Sequence, residues 1–168
     1  MPHDFPIPTF ETERLRLRPL VEEDWTGYFA FLASDRAIHM GGPHGVETAW
    51  SFFCNDIAQW HLYGHGALMF EDRLSGETLG QVAICKGPMF PELELGWFLY
   101  EAAEGKGYAA EAATAMRDWA KERLAPESLV SYIDPDNTRS IRLAERLGAV
   151  LDRDARAPHE ATLVYRHI

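Results

Sequence analysis

Apolar positions recur along this chain with two periods. "RLRLRPL" (Arg14–Leu20) alternates arginine with leucine, the period of a strand with one buried face, and Pro19 ends it. "ELELGWFLY" (Glu92–Tyr100) alternates again: Leu93, Leu95, Trp97 and Leu99 share one face, and Glu92, Glu94, Gly96 and Phe98 the other. "ALMFEDRLSGETLGQVAI" reads as a hairpin turning at Ser75–Gly76, "SLVSYID" as another strand, and the tail "ATLVYRHI" as the last.

Helical spacing fills the rest. Trp25, Tyr28, Phe29 and Leu32 share a helix face, and Trp50, Phe53, Ile57 and Trp60 share another on a helix predicted to begin at Thr48. Between them, the glycine-rich stretch Met40–Gly45 is a loop. Ala109, Ala112, Ala113, Met116, Trp119 and Ala120 mark a third apolar face. A short helix is predicted over Thr138–Leu147, with Asn137 or Asp136 at its start and Gly148 at its end. The tryptophans at 25, 50, 60 and 119 are assigned to packing, with Trp50 and Trp60 as secondary candidates for an acceptor pocket. No repeat or linker divides the chain, so residues 1–168 are expected to form one α/β domain with a mixed sheet.

Composition narrows the partners. With 46% hydrophobic and 25% charged residues, the 168-residue chain is ordinary globular material. Its formal charge of −10, without a cationic run, argues against nucleic acid and mildly favours a cationic partner such as an amine. Two cysteines, Cys54 and Cys85, read as reduced thiols of a cytoplasmic protein. The opening "MPHDFPIPTFETERLR" lacks the order of a signal peptide, and no apolar run approaches the ~20 residues of a membrane span. His61 and His65 have a ligand-like spacing, but Gly64 and Gly66 interrupt the helix there, and no metal is expected.

The candidate chemistry sits in "YEAAEGKGYAAEAA" (Tyr100–Ala113). Two glycines flank a lysine where a helix starts, the pattern of an anion site. A P-loop would need glycine where Tyr100 stands and Ser or Thr where Gly107 stands. Gly105, Gly107 and Ala110 fit a dinucleotide fingerprint loosely, but only about sixty residues follow, too few for a second mononucleotide half.

The whole neighbourhood fits better. "ETERLRLRPLVEED", "LELGWFLYEAAEGKGYAAEAA" and "NTRSIRLAERLGA", in that order, resemble the opening strand and helix, the acyl-CoA strand with its pyrophosphate loop, and the following helix of the GNAT superfamily of N-acetyltransferases, in particular its RimJ/RimL-like branch. The resemblance spans nearly the full chain. It implies a mixed, mostly antiparallel sheet splayed at the acyl-CoA strand and flanked by about four helices. It also implies acetyl-CoA as cosubstrate and an amine acceptor, either a small molecule or a protein N-terminus, in a cytoplasmic enzyme for which a homodimer is compatible. A non-catalytic acyl-CoA sensor or partner-binding module on the same fold is the alternative.

The resemblance assigns cofactor contacts to Trp97, Phe98, Leu99, Gly105, Lys106, Gly107, Tyr108, Ala109, Asn137 and Ser140. A bulge at Gly96 would free the N–H of Trp97 or Phe98 to polarise the thioester carbonyl. Glu94 is the expected base, with Glu92 in reserve. The family's tyrosine acid aligns with Ala144, which leaves Ser140, one turn earlier, as the donor to the departing sulfur. Glu104 stands where the family's loop begins with another residue, and an acid beside a pyrophosphate is unhelpful unless its side chain turns to solvent.

Overall fold

Leu15 and Leu17 are fully buried while Arg16 reaches solvent, as the alternation requires. The computed structural model describes residues 6–168, and the first five positions of the opening stretch lie outside the described residues. The strands are β1 (Phe10–Glu11), β2 (Leu15–Arg18), β3 (Ala67–Asp72), β4 (Thr78–Cys85), β5 (Glu94–Leu99), β6 (Val130–Ile133), β7 (Val150–Leu151) and β8 (Leu163–Arg166). They form one sheet in the order β1-β2-β3-β4-β5-β6-β8-β7, with β5–β6 its parallel pair and the remaining pairs antiparallel. The helices are α1 (Trp25–Leu32), α2 (Val46–Tyr63), α3 (Tyr108–Arg123) and α4 (Thr138–Arg146).

The sheet is covered on both faces. Ala112, Ala113, Met116 and Ala120 of α3 pack on Leu15, Leu17, Leu68, Phe70 and Leu95. Alanines let the helix lie close to the strands. On the other face, Tyr28, Phe31 and Leu32 of α1 and Phe53 of α2 pack on Met69, Ala83 and Phe98. A third cluster joins Ala144 of α4 to Ile133, Ala149 and Tyr165.

Trp60 is buried, donates its ring N–H to Ala67 O at 2.8 Å and meets Trp119 edge-on at 5.5 Å. Trp50 departs from the core reading, because 47% of its surface is exposed. The start of α2 falls at Val46, two residues before the expected Thr48. The hairpin turns where expected, with Gly76 at φ +73° and the Asp72 carboxylate accepting the Leu74 and Ser75 N–H groups.

The expected bulge at Gly96 is absent. The β4–β5 ladder runs from Cys85↔Glu94 to Gly80↔Leu99 without a shift. The irregularity lies one strand over: Phe70 pairs with Gly80 and Glu71 with Thr78, leaving Leu79 as the extra residue of β4. The two strands approach so closely here that a Cβ on Gly80 would lie 2.2 Å from Phe98 O. Gly80→Ala is therefore expected to force the strands apart and cost about 3 kcal/mol, lowering Tm by on the order of 10 °C in a thermal melt.

Candidate active site

The site begins where two parallel strands part. β5 and β6 pair through Glu94↔Val130, with Val130 N–H donating to Leu93 O at 2.9 Å, and no further residues of the two strands pair. Antiparallel pairing alternates which peptide groups face the partner. Tyr100 N–H donates to Leu79 O of the β4 side, so the peptide groups of Phe98, Gly96 and Glu94 face β4. Those of Leu95, Trp97 and Leu99 face the gap. Ser131 Oγ donates to Leu95 O at 2.5 Å, and Arg36 Nη2 to Leu99 O at 3.0 Å. Trp97, between them, faces the gap without a strand partner. Phe98 is thus excluded as the free donor, and the loss of β6 pairing does what a bulge was expected to do.

Glu94 stands at the apex of this gap. It is half-buried, and burial raises its pKa to about 7, offset in part by the Tyr132 backbone N–H. Glu92 is differently placed: Arg166 donates to it at 2.8 and 3.1 Å, and Ser128 Oγ adds a short hydrogen bond. Arg166 beside it holds its carboxyl below the usual range, which removes it as the reserve base.

The glycine loop leads into α3. Gly105 and Gly107 have φ of +74° and +80°, a region costly for residues with a Cβ. No side chain caps α3, so its first-turn N–H groups, from Tyr108 onward, are without helical partners. Glu111 in that turn is drawn away, accepting from Thr12 Oγ1 at 2.5 Å and Arg14 Nε at 2.7 Å. Lys106 folds back, with Nζ 3.0 Å from Ala102 O. A second cation at the loop is Arg14, which donates to Lys106 O at 2.8 Å and lies 4.6 Å over the Tyr108 ring. Sequence reasoning missed Arg14 because it comes from β2's entry, over ninety positions away.

Glu104 does not turn to solvent. Its Oε1 lies 2.5 Å from both Arg36 and Arg139, and the two guanidiniums hold its carboxyl below the usual range. The acid is neutralised where a bare carboxylate would repel a phosphate. Arg36 sits in a short 3-10 turn (Asp35–Met40), and no local signal pairs it with residue 104.

A cleft of about 490 Å³ runs along the gap, lined by Phe31, Arg36, Trp97, Phe98, Leu99, Glu104, Ala109, Asn137, Ser140 and Leu143 among others. Gly105, Lys106, Gly107 and Tyr108 form the loop joining two of these, Glu104 and Ala109. Asn137 Oδ1 accepts the Ser140 N–H at 3.1 Å, capping α4. The Ser140 hydroxyl has no hydrogen-bond partner among the described residues. Ala144 is fully buried in the third cluster, so a tyrosine there would overpack that cluster rather than reach the cleft. His65 is buried with Nδ1 2.8 Å from Ile84 O.

A splayed parallel pair followed by a glycine loop at a helix N-terminus defines an acyltransferase class of site, and comparison with known proteins agrees. The chain belongs to the GNAT acetyltransferase family, whose domain matches residues 14–150, and it is an N-acetyltransferase. It is similar to an acetyltransferase from Agrobacterium tumefaciens, 52% identical over 98% of this chain and 96% of that one, with a TM-score of 0.95. It is also similar to YkkB of Bacillus subtilis, 29% identical over 92% of each chain. RimL, a ribosomal alpha-N-protein acetyltransferase solved with coenzyme A, shares the fold: TM-score 0.70 at 16% identity, covering 92% of this chain and 93% of that one.

The first-turn N–H groups and the open space above Gly105, where a Cβ would meet nothing within 4 Å, suit a pyrophosphate. Gly107 is in the left-handed region, which asparagine tolerates. Gly107→Asp is expected to bind acetyl-CoA at least tenfold more weakly than Gly107→Asn, about 1.4 kcal/mol from the added charge alone. Calorimetry on the two folded variants measures the difference, and equal affinities would remove the loop as the phosphate site.

Proposed function

We propose that the protein transfers the acetyl group of acetyl-CoA to a primary amine by direct attack in a ternary complex. The observation that carries this reading is the unpaired edge at Trp97 on the strand that also carries a half-buried carboxylate, Glu94, whose pKa burial raises to about 7. We further place it with the RimJ/RimL-like enzymes in the cytoplasm, on the resemblance of its three ordered motifs to that branch. No helix among the described residues is long and apolar enough to cross a membrane. The acceptor is a small-molecule amine or a protein N-terminus.

The residues divide the work. The loop Gly105–Ala109 would hold the pyrophosphate, and the β5 edge from Trp97 to Leu99 would take the pantetheine arm as an added strand does. Phe98 and Asn137 line that path. Acetyl-CoA supplies the activated acyl carbon.

Amines arrive as ammonium, since a lysine-type amine has a pKa of ~10.4. Glu94 accepts a proton from it, directly or through a water, and the neutral nitrogen bonds to the acyl carbon. Trp97 N–H donates to the carbonyl oxygen as charge gathers there. The carbon–sulfur bond then breaks as the sulfur takes a proton from the Ser140 hydroxyl or a water, the nitrogen's second proton passes through water to restore that donor, and Glu94 releases the first proton to solvent. The products are an amide and a free thiol.

Thiol release from acetyl-CoA with a panel of amines tests the reading; binding without release beyond background would leave only a sensor. Glu94 works when ionised, so kcat/KM is expected to fall as pH drops below about 7. Glu94→Gln should leave acetyl-CoA affinity intact and lower turnover, with the loss shrinking at high pH. Wild-type rates across pH 6–9 would hand the role to solvent. Ser140→Ala is expected to lower kcat roughly three- to thirtyfold, about 0.7–2 kcal/mol, while a full kcat would mean unassisted departure of the thiolate.

A further inference from the structure

The carboxylates buried in this fold are mostly paired with arginine: Asp24 and Glu71 with Arg18, Glu92 with Arg166, Glu111 with Arg14. Two are not. Glu94 and Asp56 form no ion pair among the described residues. Asp56, on α2, accepts the Tyr28 hydroxyl at 2.8 Å and Gln81 Nε2 at 2.9 Å, both on Oδ2. Its Oδ1 has no hydrogen-bond partner among the described residues. Burial raises its pKa to about 6, with nothing cationic opposing the shift.

These two carboxylates lie on one face of the sheet. On the sheet face toward α1 and α2, the side-chain order along β5 is Glu94, Gly96, Phe98. Across the ladder lie Cys85, Ala83 and Gln81. Gly96 is in the middle of a central strand, yet it is half-exposed, and a Cβ on it would meet nothing within 4 Å. Its φ is outside the left-handed region, so glycine is not required for conformation. What it provides is the volume of one absent side chain, deepened by small Ala83 beside it. Asp56 is held over β4 by Gln81, whose Cα is one pleat repeat, about 7 Å, from that of Ala83. Tyr28, which meets Phe98 edge-on at 5.8 Å, carries the wall upward to Asp56. Glu94 lies directly across the ladder from Cys85, and both carboxylates are near enough to push the thiol further up from its usual range.

We propose that the space over Gly96 receives the acceptor's ammonium group, that Asp56 is a second carboxylate binding it alongside Glu94, and that the acceptor is an amine on an unbranched methylene chain. This rests on the acetyl-transfer reading above. A slot vacated by one side chain, with strands about 4.8 Å apart, admits a methylene chain; an α-amine brings a carbonyl and a side chain on its own carbon. Asp56 is a substrate-binding residue, held by Tyr28 and Gln81 and balancing the ammonium charge until Glu94 takes the proton.

The test is thiol release with acetyl-CoA and four acceptors: n-pentylamine, Nα-acetyl-lysine amide, a Ser-Ala-Ala tripeptide, and hydroxylamine as an uncharged nucleophile. Pentylamine or the lysine derivative should exceed the tripeptide at least tenfold in kcat/KM. A preference for pentylamine marks a free amine as the source, and one for the lysine derivative a side chain. Asp56→Asn keeps the hydrogen-bond acceptor for Tyr28. It should raise KM for pentylamine five- to tenfold with kcat within about twofold, and leave hydroxylamine turnover unchanged. Gly96→Ala should melt as the wild type does, bind coenzyme A equally, and raise KM for the amines tenfold or more.

The proposal is overturned if the tripeptide is the best acceptor, or if Gly96→Ala retains its amine KM. It is also overturned if Asp56→Asn slows hydroxylamine as much as pentylamine. A wild-type protein that binds coenzyme A and releases thiol with none of the four would defeat the acetyl-transfer reading itself, and this inference with it.

Discussion

The molecule depends on one interrupted pairing. β5 and β6 begin as parallel neighbours at Glu94↔Val130 and then separate. Exposed backbone in the middle of a sheet is costly unless it is satisfied, and here nearly every group has an answer. Ser131 takes the Leu95 carbonyl, Arg36 the Leu99 carbonyl, and the Tyr132 N–H faces the Glu94 carboxyl. What is left over at Trp97 is an unpaired strand edge of about one residue. The rest of the sheet holds it rigidly, because β4 pairs with β5 along its whole length and both of its faces are packed.

Electrostatics are arranged around that edge in two opposite ways. On the loop side, anions would meet helix N–H groups and an acid whose charge two arginines already balance. On the α1–α2 side, the carboxylates Glu94 and Asp56 have no cation, and burial has raised both. An anionic carrier and a cationic acceptor would thus approach from different sides of one strand. The formal charge of −10 favours the second at long range, while local pairing makes room for the first.

Glycine serves three separate ends here. Gly105 and Gly107 take a left-handed backbone that lets the loop turn into α3. Gly80 permits the close approach of β4 to the Phe98 carbonyl. Gly96 does neither, and leaves room over the sheet. Only the neighbours of each glycine distinguish these roles, and the same letter in the sequence carries all of them.

Local pattern alone determined the alternating strands within Arg14–Leu20 and Glu92–Tyr100, the hairpin at Ser75–Gly76, the alanine face of α3 and an α4 cap at Asn137 or Asp136, because those patterns depend on contacts within a few residues. The order of three motifs carried the family, and with it the loop and Glu94 as candidates. Tertiary structure decided the rest. Two-residue strands such as β1 and β7 have no period to read. The Gly96 bulge was misplaced because strand divergence, not an added residue, opens the gap. Trp97 rather than Phe98 faces it, since peptide orientation follows from the register with β4. Glu104 is neutralised by Arg36 and Arg139, and Glu92 is withdrawn by Arg166, across separations of 68, 35 and 74 residues. Asp56 acquires its place beside the site only when α2 lies across β4. Ion pairs and voids between distant segments leave no local trace, because their energy depends on positions that only the packed sheet brings together.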